Sequence, residues 1–482
     1  MKLDALLVDI LDAPAIADQI EITSVTADSR YVAPGSLFAA LPGNRLDGSR
    51  FVPDAISAGA AAVLTGMTSN VGVSDVPVIR ADDPRRVLAL LAARFYARQP
   101  ENIVAVTGTS GKSSVADFVR QIFSALGRPS ASIGTLGVIK PDGSVYGSLT
   151  TPDPVTLHME LAALADEGVT HLAFEASSHG LDQRRLDGVQ LKAAAFTNLG
   201  RDHLDYHSTV DDYLFAKQRL FDVLLPIDGC AIIDVDRPEA DVIVDVCKRR
   251  ALQMIRIGTG AAADMRLHTL VPESFGQRLS ISFAGATFDV LLPLIGRYQA
   301  SNAMLAAGLA LAVGEQPDAV FAAMNVLQGV RGRLEVVSNI NGATVVIDYA
   351  HKPDALDAAL DALRPFVTGK LLCVFGCGGD RDRGKRPIMG RISAKKADLT
   401  IVTDDNPRSE DPAAIRAEIL SKSPGAIEIG DRYEAIGYAM MQLGPGDVLL
   451  IAGKGHETGQ IIGDRVLPFS DHDAVEAVSL EL

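Results

Sequence analysis

The chain has 482 residues, 48% of them hydrophobic and 22% charged. This length predicts about three folded domains, and the ordinary composition excludes a disordered or low-complexity protein. A net charge of -15, from 45 Lys and Arg against 60 Asp and Glu with no basic tail, argues against a dedicated nucleic-acid-binding protein. Four cysteines are too few for a disulfide framework, which indicates reduced thiols.

The N-terminal segment contains acidic residues that a secretory signal would lack. Asp4, Asp9 and Asp12 interrupt its apolar residues, and no small-residue cleavage site follows. The longest weakly polar stretch, residues 303–314, is well below the ~18 residues needed to cross a bilayer. We therefore expect a cytoplasmic protein with no membrane insertion.

Residues 1–98 are predicted to form a small first α/β domain. Short β-rich runs separated by Gly and Pro precede a helical pattern over residues 84–98. The strands predicted here are 36–40, 61–64 and 76–79.

Residues 99–330 are predicted to form a central α/β domain with a largely parallel sheet. It begins with a strand at 103–106, a glycine-rich turn and a helix at 115–126. Later elements are strands at 171–174, 193–196 and 231–233, a small antiparallel subsheet between 267 and 294, and helices between 301 and 327.

Residues 331–482 are predicted to form a third domain of the same class. Apolar strands recur here, each followed by glycine or helix signals. The predicted strands are 343–347, 370–375, 399–402 and 448–451.

The glycine-rich turn of the central domain predicts an ATP or GTP site. It reads Gly108, Thr109, Ser110, Gly111, Lys112, Ser113 and Ser114, between a strand and a helix. Backbone N–H groups and the helix N-terminus can hold phosphates there, Lys112 can neutralise their charge, and Ser113 can bind Mg²⁺. The strict P-loop pattern expects glycine at position 106, where this chain has Val106.

Two strand ends of the central domain carry polar residues suited to a metal site. Glu175 ends the strand HLAFE, and the polar run 198–207, rich in His and Asp, follows a second strand. A single carboxylate after a strand is more often a capping or salt-bridge residue. Two such strand ends together favour a Mg²⁺ site.

Three charged loops follow strands of the third domain. They are GGDRDRGKR (378–386), DDNPR (404–408) and GKGHE (453–457). In a parallel sheet such loops gather at the carboxyl edge, where mixed Arg, Asp and Glu side chains can hold a zwitterion. The alternative is a solvated edge with salt bridges. A phosphate-binding domain beside an amino-acid-like pocket suggests ATP-driven ligation.

Eight motifs, in the same order along nearly the whole chain, resemble those of the Mur ligases, and among them the ligases that add diaminopimelate. The motifs are TGTSGKSS, TTPDP, EASSHGLDQRR, NLGRDHLDYH, YLFAKQRLF, DYAHKPDAL, DDNPR and GKGHE. The resemblance implies a three-domain α/β fold with a central P-loop-type, mostly parallel sheet and a C-terminal Rossmann-like domain. The three domains would bind a UDP-sugar, ATP and an amino acid in that order.

The resemblance also implies the reaction and its substrates. ATP would phosphorylate the D-glutamate γ-carboxylate of UDP-N-acetylmuramoyl-L-alanyl-D-glutamate, and the amine of meso-diaminopimelate would attack the acyl phosphate, in cytoplasmic peptidoglycan synthesis. ATP and Mg²⁺ are the implied cofactors. We expect a monomer.

Residue roles follow from the resemblance, motif by motif. Lys112, Lys217 and His203 are implied in catalysis, with Lys217 at the position of a carbamylated lysine. The implied Mg²⁺ ligands are Ser113, Glu175, His203 and Lys217. The implied nucleotide contacts, in addition to the residues of the glycine-rich loop, are Asn302, Arg333 and Asp348. The implied UDP-substrate residues are Ser29, Thr150, Thr151, Ser177, Gln183 and Arg185. The implied diaminopimelate residues are Arg381, Asp405, Asn406, Pro407, Arg408, Gly453 and Glu457.

Two other functions remain open from the sequence. Folylpolyglutamate synthetase shares the P-loop and the ligation chemistry, but it resembles this chain poorly in the DNPR and GKGHE loops. A GTPase-type switch protein is the alternative from a different class. It would leave the charged loops of the third domain unexplained, and the chain has no guanine-specifying Asn-Lys-x-Asp sequence.

Overall fold

A computed structural model of the chain describes residues 1–43, 47–72, 74–146, 150–200, 202, 206–273 and 276–481. The chain divides into two compact units. The first unit comprises Met1–Arg266 and Asn302–Ala323, and the second comprises Leu267–Ser301 and Met324–Leu482. Within the described ranges, none of the helices is long and apolar enough to cross a membrane.

The first unit begins with a four-stranded parallel sheet in the order β1-β2-β3-β4. Helix α3 begins where the side chain of Asp83 accepts a hydrogen bond from the N–H of Arg86, with Pro84 in its first turn. The elements are α1 (Leu3–Leu7), β1 (Ser24–Thr26), β2 (Ser36–Ala40), α2 (Val52–Ser57), β3 (Ala62–Gly66), β4 (Val78–Ala81) and α3 (Pro84–Tyr96).

A second sheet of the first unit has a parallel centre in the order β12-β11-β10-β5-β9-β6 and the antiparallel strands β7 and β8 beyond β6. Its strands are β5 (Asn102–Thr107), β6 (Ser130–Gly134), β7 (Gly137–Ile139), β8 (Val145–Tyr146), β9 (His171–Glu175), β10 (Leu191–Phe196), β11 (Cys230–Asp234) and β12 (Gln253–Gly258). Strand β13 (Met265–Glu273) begins in this unit and continues into the second one after Arg266. The helices are α4 (Lys112–Ala125), α5 (Pro154–Asp166), α6 (Ser178–Asp182), α7 (Val210–Arg219), α8 (Ala240–Arg249), α10 (Pro317–Ala323) and the part of α9 (Arg297–Ala312) from Asn302 onward. Because β5 lies between β9 and β10, the loops after these three strands meet at one edge.

The second unit contains a six-stranded sheet in the order β16-β17-β21-β18-β19-β20, antiparallel only between β16 and β17. The strands are β14 (Gly276–Phe283) and β15 (Ala286–Leu292), which form an antiparallel pair, β16 (Glu335–Ile340), β17 (Ala343–Asp348), β18 (Leu371–Phe375), β19 (Leu399–Val402), β20 (Ile427–Glu428), β21 (Val448–Ala452), β22 (Gly459–Ile462) and β23 (Arg465–Pro468). The helices are α11 (Pro353–Leu363), α12 (Lys385–Lys396), α13 (Pro412–Leu420), α14 (Arg432–Met441) and α15 (Asp471–Glu481). All residues of β18 and β21 are buried, because apolar clusters cover both faces of the sheet.

The structure confirms the predicted α/β class and the predicted apolar strands to within a few residues. The helical region predicted over 301–327 begins earlier, at Arg297, and is interrupted after Ala312. Gly314 lies there with a φ of 97°, a left-handed conformation that ends a helix at little cost. The strands that were not predicted are β1, β6, β7, β8, β12, β16, β20, β22 and β23. β8 and β23 are exposed throughout, so they lack the apolar alternation on which strand prediction depends.

Candidate active site

The loop between β5 and α4 has the backbone of a phosphate-binding turn. Gly108 and Gly111 have φ angles of 146° and 87°, which favour glycine. A Cβ atom on Gly108 would lie 1.9 Å from Thr197 Oγ1, and one on Gly111 would lie 2.5 Å from Asn302 Oδ1. Helix α4 begins directly after this loop, with Gly111 as its N-cap residue, and the N–H groups at the start of a helix favour an anion.

The end of β10 holds this loop in place. Asn198 accepts a hydrogen bond from Thr109 N at its carbonyl (2.9 Å) and one from Ser110 N at its side-chain oxygen (3.0 Å). Thr197 Oγ1 donates to the carbonyl of Ser110 at 2.7 Å. The loop is therefore preorganised by side chains more than 80 residues away in sequence, since these contacts span 87 and 88 positions.

Two lysines meet at the carbonyl of Gly108. Lys112 Nζ donates to the carbonyls of Gly108 and Thr109, each at 3.0 Å, and Lys217 Nζ donates to that of Gly108 at 2.7 Å. Lys217 is only 1% exposed, and its Nζ lies 4.1 Å from the ring centroid of Tyr213. Lys217 is therefore no surface lysine. His203, predicted beside it, lies outside the described residues.

Glu175 is buried at the carboxyl end of β9, opposite Val106 of β5. Its carboxylate accepts two hydrogen bonds from Thr135, from the backbone N–H at 2.7 Å and from the hydroxyl at 3.2 Å. A Cβ atom on Gly134 would lie 2.2 Å from Glu175 Oε1, so only glycine leaves room for this carboxylate.

These residues fit a Mg²⁺ ion. The hydroxyl of Ser113 and the carboxylate of Glu175 are hard oxygen donors, and Gly134 leaves the space that the carboxylate needs. Across the described ranges, no group of three or more His, Cys, Asp or Glu residues could hold a metal ion by itself.

Five of the six predicted UDP-substrate residues form one hydrogen-bonded network. The hydroxyl of Thr151 donates to the carbonyl of Glu175 and lies 2.9 Å from the Ser177 hydroxyl, and Arg185 NH1 donates to the carbonyl of Thr151 at 2.6 Å. Arg185 NH2 also donates to Gln183 Oε1 at 2.7 Å.

Thr150 and Ser29 complete the predicted set. The Thr150 hydroxyl lies 3.0 Å from that of Thr135, the residue that holds Glu175. Ser29 lies in a separate 3-10 helix, Ser29–Tyr31, and within the described part of the chain its hydroxyl makes no hydrogen bond to the network. Its substrate role rests on the resemblance alone.

In the second unit, Asp348 is buried at the carboxyl end of β17. The N–H of Leu334 donates to Asp348 Oδ2 at 2.6 Å. Burial raises the pKa of Asp348 to about 6, against the opposing effect of the Arg333 guanidinium. That guanidinium lies 4.6 Å from the ring centroid of Tyr349. The predicted nucleotide contacts Arg333 and Asp348 therefore lie together around Tyr349.

Replacing Asp348 by asparagine is expected to change how stability depends on pH. Because burial raises the pKa of Asp348 from 3.8 to about 6, the folded chain keeps a proton that the unfolded chain has lost. This stabilisation is complete below about pH 4 and is lost as the pH rises through about 6. Urea unfolding should show about 3 kcal/mol of wild-type stability lost over this interval and not lost by Asp348→Asn.

Asp473→Asn, at an exposed position of α15, is the matched control and should follow the wild type. Equal slopes of unfolding free energy against pH for Asp348→Asn and the wild type would contradict the proposed titration.

The loops after β18, β19 and β21 bring the predicted diaminopimelate residues together. Asn406 Nδ2 donates to Glu457 Oε2 at 2.9 Å, and Lys454 Nζ donates to Asn406 Oδ1 at 3.2 Å and to Glu457 Oε2 at 3.3 Å. Gly453 has a φ of 119°, and a Cβ atom there would lie 2.6 Å from Asp405 Oδ2. The DNPR and GKGHE loops are therefore in direct contact.

The remaining predicted residues lie around Gly378 and Gly379. A Cβ atom on Gly378 would lie 2.8 Å from Arg408 NH1 and 3.9 Å from Arg381 Cγ, and one on Gly379 would lie 1.9 Å from the carbonyl oxygen of Pro407. Arg408 is held by its NH1, which donates to the carbonyl of Gly379 at 2.9 Å. All seven predicted residues thus lie at one edge of the sheet.

Sequence reasoning did not assign roles to Thr135 or Lys454. Thr135 follows β6, which pairs with β9, so its place after a strand of the parallel sheet was the available signal. Lys454 stands inside the GKGHE run, yet it is fully buried, whereas lysines are almost never buried without partners.

Three family models match the chain. The Mur ligase middle domain matches residues 106–310, the Mur ligase glutamate ligase domain matches 332–455, and the Mur ligase family catalytic domain matches 21–96. A relative from Bradyrhizobium diazoefficiens, named UDP-N-acetylmuramoyl-L-alanyl-D-glutamate–2,6-diaminopimelate ligase, is 55% identical over 467 residues, which cover 96% of each chain.

Solved structures show the same similarity. A structure of a UDP-N-acetylmuramoyl-L-alanyl-D-glutamate–2,6-diaminopimelate ligase matches with a TM-score of 0.76 and 32% identity, over 100% of this chain and 99% of that one. Mycobacterium tuberculosis folylpolyglutamate synthase, complexed with ADP and AMPPCP, matches with a TM-score of 0.63 and 22% identity, over 77% of this chain and 92% of that one. At that identity the synthase shares the fold alone.

Proposed function

Because the chain belongs to the Mur ligase family, we propose that it is the ATP-dependent ligase that adds meso-diaminopimelate to UDP-N-acetylmuramoyl-L-alanyl-D-glutamate. The observation that carries the proposal is the convergence of Arg408, Asn406 and Glu457 at one sheet edge. An Arg and a Glu held this way suit the carboxylate and the ammonium of an amino acid. We place the reaction in cytoplasmic peptidoglycan precursor synthesis, where ATP and the UDP-linked substrate are found.

The proposed arrangement has three domains. Residues 1–98 would bind the UDP-sugar, 99–330 ATP, and 331–482 diaminopimelate. The network of Thr151, Ser177 and Arg185 supports a peptide-bearing substrate beside Glu175, because its hydroxyl and guanidinium groups suit carboxylate or diphosphate oxygens.

The proposed chemistry forms the amide in two steps. An oxygen of the D-glutamate γ-carboxylate attacks the γ-phosphorus of ATP, and ADP leaves. The amine of diaminopimelate then attacks the acyl carbon, phosphate leaves, and the amine gives up a proton. Activation is needed because a carboxylate is a poor electrophile, and the N–H groups of the glycine-rich loop together with Lys112 would offset the charge that develops on the phosphoryl oxygens.

Mg²⁺ would supply further positive charge at the phosphates. Ser113 and Glu175 would hold this ion, and the hydrogen bonds from Thr135 keep the Glu175 carboxylate in place for it. The resemblance adds His203 and Lys217 as ligands of a second ion.

An omission assay tests the proposed function. Phosphate release should require ATP, UDP-N-acetylmuramoyl-L-alanyl-D-glutamate and diaminopimelate together, and mass spectrometry should find the acceptor joined to diaminopimelate with loss of water. Phosphate release that needs neither acceptor nor amino acid would instead favour a nucleotide switch. Product formed with glutamate and a folate would favour the folylpolyglutamate reaction.

Replacing Arg408 by alanine is expected to remove the preference for diaminopimelate over lysine. The two amino acids differ by the distal carboxylate, which an arginine can bind with two parallel hydrogen bonds. Loss of a buried arginine–carboxylate pair should lower the discrimination between diaminopimelate and lysine by roughly 2 to 5 kcal/mol. The measurement is the ratio of kcat/KM for the two amino acids.

Arg391→Ala, at an exposed position of α12, is the control and should keep the wild-type ratio. If Arg408→Ala also keeps that ratio, Arg408 does not read the distal carboxylate.

A further inference from the structure

Lys454 is a fully buried lysine in the loop that follows β21, with 0% of its surface exposed. We propose that Lys454 is a positioning residue that orients Asn406 and Glu457 for diaminopimelate. This inference rests on the proposed function and adds a specificity determinant to it.

Hydrogen bonds join the three side chains in a closed ring. Lys454 Nζ donates to Asn406 Oδ1 at 3.2 Å and to Glu457 Oε2 at 3.3 Å, and Asn406 Nδ2 donates to the same Glu457 oxygen at 2.9 Å. The N–H of Ile461 also donates to Asn406 Oδ1, at 2.9 Å. Because Oδ1 faces two donors, the amide has one favourable orientation, with its NH₂ group toward Glu457.

Charge explains why this ring holds Glu457 firmly. Burying an ammonium is costly unless it is paired and hydrogen-bonded, so Lys454 must keep its contact with Oε2 of Glu457. The Glu457 side chain remains 32% exposed. Its other oxygen, Oε1, has a longer contact of 3.5 Å with the Tyr349 hydroxyl. Lys454 therefore fixes one carboxylate oxygen and leaves the other to receive a ligand ammonium.

The same contacts join the DNPR and GKGHE loops, which are far apart in sequence. Asn406 and Lys454 are separated by 48 positions, and Asn406 lies two residues before Arg408. Without the lysine, the Asn406 amide and the Glu457 carboxylate would each lose a partner, and the spacing between the ammonium and carboxylate contacts would no longer be fixed.

The test measures the KM of each of the three substrates, with the other two at saturating concentration, for Lys454→Met and for the wild type. Methionine is unbranched and of similar length, so it replaces the packing without the charge. We expect the KM for diaminopimelate to rise at least about tenfold, while the KM values for ATP and the UDP-substrate stay within about twofold. Lys422→Met, at an exposed position, is the control and should leave all three KM values unchanged.

A double-mutant cycle separates positioning from packing. If Lys454 acts through Glu457, Lys454→Met should raise the KM for diaminopimelate much less in a Glu457→Gln background than alone. Should Lys454→Met fail to fold, the same cycle is run with Lys454→Arg, which keeps the charge but cannot reproduce the contacts of a compact ammonium. Additive effects, or equal rises in all three KM values, would overturn the positioning role.

The wild-type assay is read first. A wild type that forms no product with diaminopimelate contradicts the proposed function, whereas a wild type that forms product and a Lys454→Met variant with the wild-type KM contradicts only the role of Lys454.

Discussion

Replacing Lys112 by alanine is expected to lower the turnover of ligation by about 10²–10³-fold or more, the cost of losing one preorganised charged donor at a reacting centre. Lys112 Nζ already contacts the loop carbonyls of Gly108 and Thr109 at 3.0 Å. It is therefore held at the turn where phosphate oxygens are proposed to bind. The measurement is phosphate release with all three substrates present.

Folding of the Lys112→Ala variant is expected to be intact, because the lysine Nζ donates to carbonyls of its own loop. Circular dichroism and the thermal midpoint should match those of the wild type and of Lys248→Ala, whose side chain is exposed on α8. Turnover near the wild-type value in a folded Lys112→Ala variant would remove Lys112 from the mechanism.

The strands that position the site could be predicted because they are buried on both faces. Every residue of β9, β18 and β21 is buried. In the sequence β18 and β21 are uninterrupted apolar runs, and the middle of β9 is the apolar run 172–174. Polar residues directly after such runs then mark the carboxyl edge. This pattern found Glu175 and the DNPR and GKGHE loops without any knowledge of their partners.

The contacts that tune the site could not be predicted, because each depends on a partner far away in the sequence. Thr135 is an ordinary threonine after a strand, and only the pairing of β6 with β9 places it against Glu175. Lys454 stands between two glycines, which is typical of an exposed loop. Its hydrogen-bond partners are Asn406 and Glu457, and sequence periodicity carries no information about such contacts.

Lys217 illustrates both cases. Its spacing on an amphipathic helix, taken alone, favours an ordinary surface lysine, and only the resemblance of its motif predicts a functional one. The structure places it in the interior, with its Nζ at the Gly108 carbonyl and over the Tyr213 ring. The buried amine of Lys217 therefore lies at the phosphate-binding loop. That this amine is carbamylated remains a hypothesis.

Replacing Lys217 by alanine is expected to lower turnover by about 10²–10³-fold or more, which leaves the enzyme nearly inactive. We propose that the neutral amine attacks CO₂ and releases one proton, which gives a carbamate, an anionic oxygen donor suited to a hard cation such as Mg²⁺. A short carboxylic acid can occupy the space left by the truncated side chain. Acetate at high concentration should therefore restore part of the turnover of Lys217→Ala.

Two controls separate this chemistry from a general salt effect. Acetate should not restore Lys112→Ala, because that variant lacks a cation and not an oxygen ligand. Independently of activity, carbon NMR after incubation with isotopically labelled bicarbonate should show a carbamate resonance in the wild type that Lys217→Ala lacks and Lys192→Ala, at an exposed strand position, retains. High activity of Lys217→Ala without acetate, or a wild-type spectrum without this resonance under conditions of turnover, would refute the carbamate. The buried lysine would then act only as a cation at the phosphate-binding loop.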